Sequence, residues 1–148
     1  MERIVRCQAV ILKADKILVL KQYNYNRQEE YWMLPGGGLE DGETEAEGII
    51  REIKEETNLD IEIKGILFDE LGNGKDVYQR YVTFLCVPIS GSVESIGSET
   101  VSYRKILELV WVSLSKEEQW NDYILKEQFY PSMKKIKDRL TNGLRVSM

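Results

Sequence analysis

Apolar and polar residues alternate along several stretches of the chain in the pattern expected of half-buried strands. Strands are predicted at residues 3–12, 16–23, 31–34, 61–70, 77–89 and 106–114. Lys13-Ala14-Asp15 joins the first two strands, and Gly72-Asn73-Gly74 is a strong hairpin signal between two later ones. The pattern therefore predicts a sheet-forming chain with short connections.

Helical periodicity appears in the middle of the chain and again at its end. Ala46, Ile49, Ile50 and Ile53 form one apolar stripe of a helix that precedes Leu59. The C-terminal helices are predicted at about 116–142. Ser115 and Glu118 form a capping box for a first helix over about 116–129. Pro131 then interrupts this helix. A final amphipathic helix is expected to end near Gly143 and to bury Met133, Ile136 and Leu140.

The central helix carries Glu52, Glu55 and Glu56 on one face, centred roughly 115° from its apolar stripe. Like charges at this spacing destabilise a helix by about 0.2–0.5 kcal/mol per pair. Carboxylates near a helix C-terminus also meet the negative end of its dipole. A bound cation would relieve both effects. The alternative is a solvated charged face, with Arg51 and Lys54 diluting the repulsion.

Three glycines, Gly36, Gly37 and Gly38, come shortly before this helix. Glycine permits a sharp turn and a close approach of the backbone to a ligand, and a helix N-terminus favours anions. A glycine-rich turn beside a cation site is therefore a plausible holder of a diphosphate. The alternative is a turn with no ligand.

Composition and charge narrow the class of protein. The length of 148 residues fits one domain, residues 1–148, with 43% apolar and 30% charged residues. The net charge of −5 argues against a broad nucleic-acid surface. No apolar run suits a membrane span, and the N-terminus is unlike a signal peptide, so a cytoplasmic protein without a membrane partner is expected. Cys7 and Cys86 fit small core residues.

The chain contains no histidine. Zinc and copper sites depend on histidine and cysteine, so an acidic cluster without them favours a hard cation, Mg²⁺ or Mn²⁺. The commonest general base is also missing, which leaves a glutamate or a metal-bound water in that role.

The sequence over residues 37–59 resembles the signature of the Nudix hydrolases, the MutT-like family. Gly37 is followed after five residues by Glu43, and after seven more by Arg51-Glu52-Ile53-Lys54-Glu55-Glu56-Thr57-Asn58-Leu59. Every fixed position matches except the last glycine, which is Asn58 here. Asparagine is the other residue that readily ends a helix in the left-handed conformation. The resemblance implies an α/β/α sandwich with a mixed β-sheet.

The resemblance also implies roles for the acidic helix. Glu52 and Glu56 would bind the metal, with Glu55 as a further ligand or base and the Gly36 carbonyl as an additional ligand. Arg51 would hold Glu43 and Glu47 and orient the helix.

Further candidates lie outside the central helix. Gly37 and Gly38 would approach the substrate, and Arg27 could reach a phosphate, although a solvated loop arginine is the alternative. Tyr78 lies close to the offset of a tyrosine in relatives that cleave dinucleoside polyphosphates, but strand tyrosines are common. Glu99 is the first candidate for a further carboxylate that acts as metal ligand or base, and Glu108 is the second.

The function that the resemblance implies is metal-dependent hydrolysis of a nucleoside diphosphate linked to another moiety. A non-catalytic nucleotide sensor is one alternative, although it would have no need of the intact glutamate set. Trimming of RNA 5′ ends is another, which the acidic charge disfavours, and a purely structural domain is a third. The identity of the small-molecule nucleotide and the oligomeric state stay open, a homodimer included.

Overall fold

The computed structural model describes residues 5–72, 74, 78–93, 100–101, 104–120 and 130–146. The strands are β1 (Val5–Lys13), β2 (Lys16–Asn24), β3 (Glu29–Met33), β4 (Gly36–Gly38), β5 (Asp60–Leu71), β6 (Arg80–Ser90), β7 (Thr100–Val101) and β8 (Arg104–Ser113). The helices are α1 (Glu45–Thr57) and α2 (Tyr130–Val146), with a short 3₁₀ turn at Glu117–Gln119.

The strands form one mixed sheet in the order β5-β6-β1-β2-β8-β7, with β3 beside β2 and β4 beside β1. Strands β1 and β6 run parallel, from Val5 opposite Arg80 to Ile11 opposite Cys86. The hairpin of β5 and β6 is closed by a hydrogen bond from the Gly72 N–H to the Gln79 carbonyl at 2.8 Å. Strand β6 begins three residues later than the alternation predicts.

Successive residues of β1 and β2 point to opposite sides of the sheet, which divides the core in two. On one side Cys7, Ala9 and Leu18 pack with Ile49 and Ile53 of α1. On the other side Val10 and Val19 belong to an apolar cluster that also contains Met133, Ile136 and Leu140 of α2. Helices therefore cover both faces, and the predicted α/β fold with a mixed sheet is confirmed.

The ends of α1 are fixed by local interactions. Thr44 accepts a hydrogen bond from the Glu47 N–H at 3.1 Å, while the Glu47 side chain accepts one from the Thr44 N–H at 2.9 Å. At the other end Asn58 takes the left-handed conformation, with φ 69° and ψ 12°. The prediction that Asn58 ends the helix in the left-handed conformation, as glycine would, is confirmed.

Two expectations about the central segment are wrong. The three glycines are not a turn but the short strand β4, because Gly36 and Gly37 pair with Gln8 and Cys7 of β1. Only half of the predicted apolar stripe is buried, since Ala46 and Ile50 are exposed. The buried face of α1 is rotated toward Glu52 and Glu56, which have polar partners inside the protein.

The C-terminal region also departs from expectation. Among the described residues Ser115 does not act as a cap, because its hydroxyl donates to Asp15 at 2.6 Å and a 3₁₀ turn that begins after Lys116 occupies residues 117–119. Residues 121–129 of the expected helix lie outside the described part of the chain. The final helix continues to Val146, three residues beyond the predicted end, and buries the three predicted apolar residues.

The two cysteines are core residues, as predicted. Cys7 and Cys86 are buried free thiols, and burial raises their pKa values to about 11 and about 12. Trp32 is buried in the α2-side cluster. Among the described helices, none has the length and apolar character needed to cross a membrane.

Gly36→Ala is expected to destabilise the fold, because a Cβ at this position would lie 2.2 Å from the Cys7 carbonyl oxygen and 2.6 Å from the Gln8 Cα. The backbone at φ +154° also disfavours a side chain. The free energy of unfolding, measured by urea denaturation, should fall by about 2 kcal/mol or more.

Gly65→Ala is the matched control, since an added Cβ would meet no atom within 4 Å. Its effect should stay within about 0.5 kcal/mol. Equal stability of the two variants would show that β4 does not need a glycine at position 36.

Candidate active site

A cleft of about 690 Å³ opens beside β4 and the acidic face of α1. Its lining combines cationic, amide and aromatic side chains with one buried carboxylate. The lining residues are Arg6, Gln8, Gln22, Asn24, Arg27, Glu29, Tyr31, Trp32, Met33, Gly36, Gly37, Gly38, Glu52, Tyr78, Tyr81 and Arg104. Arginine and aromatic side chains around one buried carboxylate suit a ligand that carries both negative charge and flat rings.

Glu52 reaches the cleft because Gly37 has no side chain. A Cβ on Gly37 would lie 2.5 Å from the Glu52 carboxyl carbon and 2.8 Å or less from its two oxygens. The close approach places a carboxylate that is only 6% exposed directly against the backbone of β4. Gly37 is therefore required for space and not for a turn.

Glu56 lies one helical turn further along α1 and is fully buried. Its Oε1 accepts a hydrogen bond from the Gly36 N–H at 2.8 Å. Its Oε2 accepts one from Arg104 Nη2 at 2.7 Å, in an ion pair whose arginine side chain is only 8% exposed. Arg104 Nη1 donates to Gln22 Oε1 at 3.1 Å. Two strands and one helix thus meet at a single carboxylate, and a third strand holds the arginine that pairs with it.

Arg51 connects the other acids. Its Nε and Nη2 donate to the two oxygens of Glu43 at 2.5 and 3.0 Å, a bidentate pair. Its Nη1 lies 3.1 Å from Glu52 and 3.3 Å from Glu55. The predicted contact with Glu43 is present, whereas Glu47 caps the helix instead. These carboxylates raise the pKa of Arg51, which stays charged.

Burial sets the electrostatics of the two inner carboxylates. It raises the pKa of Glu52, against the opposing effect of Arg51. It raises the pKa of Glu56 to about 7, although the neighbouring Arg104 favours the charged form. Two carboxylates that are costly to keep charged are suited to a divalent cation, which offsets that cost.

Within the ranges that the structure describes, no three carboxylate or thiol side chains surround a common point. Glu56 is engaged with Arg104, and the Glu55 side chain is 45% exposed. The donors nevertheless fit a hard cation chemically, because all are carboxylate or carbonyl oxygens. The close packing of Glu52 on Gly37 places one of these donors at the cleft.

The structure brings several predicted substrate residues together. Arg27, Gly37, Gly38 and Tyr78 all line the cleft that contains Glu52. Glu99 lies outside the described residues. The second candidate for that role, Glu108, is exposed on β8, 3.6 Å from Lys21, and does not line the cleft.

Sequence reasoning missed several polar residues of the cleft. Arg6 and Gln8 interrupt the apolar run of β1 at alternate positions, and Gln22 and Arg104 are buried on β2 and β8. Polar residues inside otherwise apolar strands were the available signal. The contact of Arg104 with both Gln22 and Glu56 depends on the order of strands, which no local pattern reveals.

Arg104→Met should destabilise the metal-free protein most at high pH. The pKa of Glu56 is already raised to about 7, and loss of Arg104 removes an effect that lowers it. As the pH rises from 5.5 to 8.5, Glu56 of the wild type ionises beside Arg104, whereas in the variant its pKa is higher still and ionisation would leave an unpaired buried charge. With chelator present, urea denaturation should show a loss of about 3 kcal/mol at pH 8.5 and a clearly smaller loss at pH 5.5.

Arg80→Met serves as the control, because Arg80 pairs with two partly exposed carboxylates, Glu45 at 2.6 Å and Asp69 at 2.8 Å. The lowered pKa of Asp69 keeps that carboxylate charged at both pH values, and the two surface pairs should contribute about 0–1 kcal/mol each without a trend. A loss in Arg104→Met that is the same at both pH values would contradict the ion-pair account.

Comparison with known proteins places this site in a family context. An ADP-ribose pyrophosphatase of Methanocaldococcus jannaschii is 44% identical over 63 residues, 43% of this chain and 37% of that protein. The uncharacterized Nudix hydrolase YvcI of Bacillus subtilis is 27% identical over 114 residues, 75% of this chain and 65% of that protein. The chain thus spans between 37% and 65% of the length of these curated relatives.

The fold is also similar to solved structures. The crystal structure of a MutT protein from Methanosarcina mazei Go1 has a TM-score of 0.65 at 23% identity and covers 94% of this chain and 95% of that one. The NUDIX domain model matches residues 3–136, which include β1, the acidic helix and most of the cleft-lining elements. The chain therefore belongs to the Nudix family.

Proposed function

We propose that this protein hydrolyses a diphosphate bond in a nucleoside diphosphate linked to another moiety, with Mg²⁺ or Mn²⁺ as cofactor. The observation that carries the proposal is the packing of the Glu52 carboxylate on Gly37 at the base of a cleft lined by three arginines. A carboxylate does not bind a phosphate unaided, whereas a carboxylate with a divalent cation does. Family members generally use divalent metals.

Glu52 and Glu56 would hold the metal, with Glu55 and the Gly36 carbonyl as further ligands. Glu52 and Glu56 are one turn apart on the buried face of α1, and Gly36 is hydrogen-bonded to Glu56. This arrangement would supply a set of oxygen ligands held by one helix and one strand. When bound, the metal neutralises the diphosphate and lowers the pKa of water.

The proposed reaction is a displacement at phosphorus. A water oxygen forms a bond to one phosphorus atom while the bridging P–O bond breaks, and two phosphate-bearing products result. A base must take the proton of the attacking water. Glu55 is our candidate for that role because its side chain is partly exposed, and Glu99 is retained as the second candidate.

Arg51 is proposed to position the reacting carboxylates and not to touch the substrate. Its guanidinium contacts Glu43, Glu52 and Glu55 within 3.4 Å. A fork of donors that bridges three acids fixes their rotamers and reduces their mutual repulsion.

The cleft supports a nucleotide as the substrate. Arg27 and Arg104 suit phosphate oxygens, and Tyr78 and Tyr81, whose ring centres are 5.8 Å apart, offer flat surfaces for a base or sugar. ADP-ribose is included among the candidates because one relative is named for its hydrolysis. The proposal includes a cytoplasmic location, as expected from the sequence.

Glu52→Gln should reduce hydrolysis by about 100-fold or more, because it removes the carboxylate at the base of the cleft. Phosphate release after coupling phosphatase would be measured for ADP-ribose, a UDP-sugar, nucleoside triphosphates and dinucleoside polyphosphates. Each would be tested with Mg²⁺, with Mn²⁺ and with chelator. Glu62→Gln is the control, since Glu62 is exposed on β5 and pairs with Lys64.

Turnover of one compound class that chelator abolishes would support the proposal. Turnover that survives chelator or the Glu52→Gln change would overturn it. No turnover at all, combined with a nucleotide that raises the melting temperature, would instead favour a sensor.

Arg51→Lys should lower kcat by about 10- to 100-fold while KM changes little, because lysine keeps the charge but not the fork. Steady-state kinetics on the substrate that the nucleotide panel identifies would separate kcat from KM. Lys54→Arg on the exposed side of α1 is the control. A change in KM alone would contradict a positioning role.

A further inference from the structure

Arg104 occupies an unusual position between the acidic helix and the cleft. Its side chain is 8% exposed, yet it both lines the cleft and forms an ion pair with the fully buried Glu56. Gln22 accepts a hydrogen bond from its Nη1, which holds the guanidinium in this orientation. Neither the signature of residues 37–59 nor the apolar pattern of β8 assigns a role to this residue.

Both oxygens of Glu56 are engaged in this structure. One accepts from the Gly36 N–H, and the other accepts from Arg104. A cation that binds Glu56 must therefore compete with the guanidinium for the same negative charge. In a buried site such competition is strong, because like charges repel more as the surroundings become less polar.

We infer that Arg104 is the internal counter-ion of Glu56 and exchanges with the metal. In the metal-free protein Arg104 neutralises Glu56 and keeps the carboxylate in place. When the divalent cation binds, Arg104 gives up Glu56 and becomes available to the diphosphate in the cleft that it lines. This inference rests on the proposed function and assigns Arg104 as a positioning residue that becomes a substrate anchor.

In this exchange each buried charged group has an oppositely charged partner both before and after the metal binds. A buried carboxylate without a partner is costly, and so is a buried guanidinium without an acceptor. The carboxylate has Arg104 before the metal binds and the metal afterwards. The guanidinium has Glu56 beforehand and phosphate oxygens afterwards, which match its planar fork of donors.

The other cleft arginines are differently placed. Arg6 donates to the Leu34 carbonyl at 3.1 Å and to Gln8, so its guanidinium is held by neutral acceptors. Arg27 is exposed in the turn before β3, where its backbone N–H bonds to Asn24. Arg104 is thus the cleft arginine for which the structure shows an ion pair with a proposed metal ligand.

The test is a pair of titrations with Arg104→Gln, monitored by calorimetry. The first measures binding of Mn²⁺ alone, and the second measures binding of methylenediphosphonate, a non-hydrolysable diphosphate, at saturating Mn²⁺. Removal of the competing guanidinium should tighten Mn²⁺ binding by about tenfold and weaken diphosphonate binding by about tenfold. Effects of opposite sign on the two ligands are the signature of the exchange.

Two further variants keep the test decisive. Arg27→Gln removes a charge from the cleft without touching Glu56, so it should leave the affinity for Mn²⁺ unchanged. Arg104→Lys keeps the charge and should leave both affinities between those of the wild type and Arg104→Gln. The same two titrations on Arg104→Lys also test the exchange if Arg104→Gln fails to fold.

Mn²⁺ affinity that is unchanged or weaker in the Arg104 variants would overturn the exchange. So would an equal gain in Arg27→Gln, because it would show a general charge effect. Diphosphonate affinity that is unchanged would overturn the transfer of Arg104 to the substrate. Hydrolysis by the wild type together with any of these results would leave the proposed function standing, whereas absence of Mn²⁺ binding and of hydrolysis would remove both.

Discussion

The burial of Glu56 is the constraint on which the rest of the site depends. A fully buried carboxylate must have partners, and here they are the Gly36 N–H and the Arg104 guanidinium. The first partner requires β4 to lie against β1, where only glycine fits at position 36. The second requires β8 to deliver an arginine 48 residues from Glu56 along the chain. Helix, strand pairing and cleft are therefore fixed around one charge.

Much of the fold follows from local patterns. The strands alternate, the last helix buries every third or fourth residue, and Asn58 ends α1 in the left-handed conformation, because each of these depends on residues close in sequence. The acidic helix itself was also predictable, and its signature identified the family that the comparison confirms. Local information also explains why Arg51 was expected to hold Glu43, which lies two turns earlier.

The errors arise where partners are distant. The buried face of α1 could not be predicted from apolar residues alone, because Glu52 and Glu56 are buried against β4 and β8, whereas Ile50 is exposed. The glycines resemble a turn until their pairing with β1 is known. Ser115 fits the sequence pattern of a helix cap, yet its hydroxyl donates a hydrogen bond to Asp15, which lies 100 residues away along the chain. Sheet order decides each case, and it is not encoded in a window of sequence.

The most direct test of the account is a crystal structure of the protein with Mn²⁺, using the anomalous signal of the metal to locate it. The account predicts an anomalous peak between the Glu52 and Glu56 carboxylates, with Arg104 no longer bonded to Glu56. A peak elsewhere, or Glu56 still paired with Arg104 while Mn²⁺ occupies another site, would contradict the assignment of these carboxylates as the metal-binding centre.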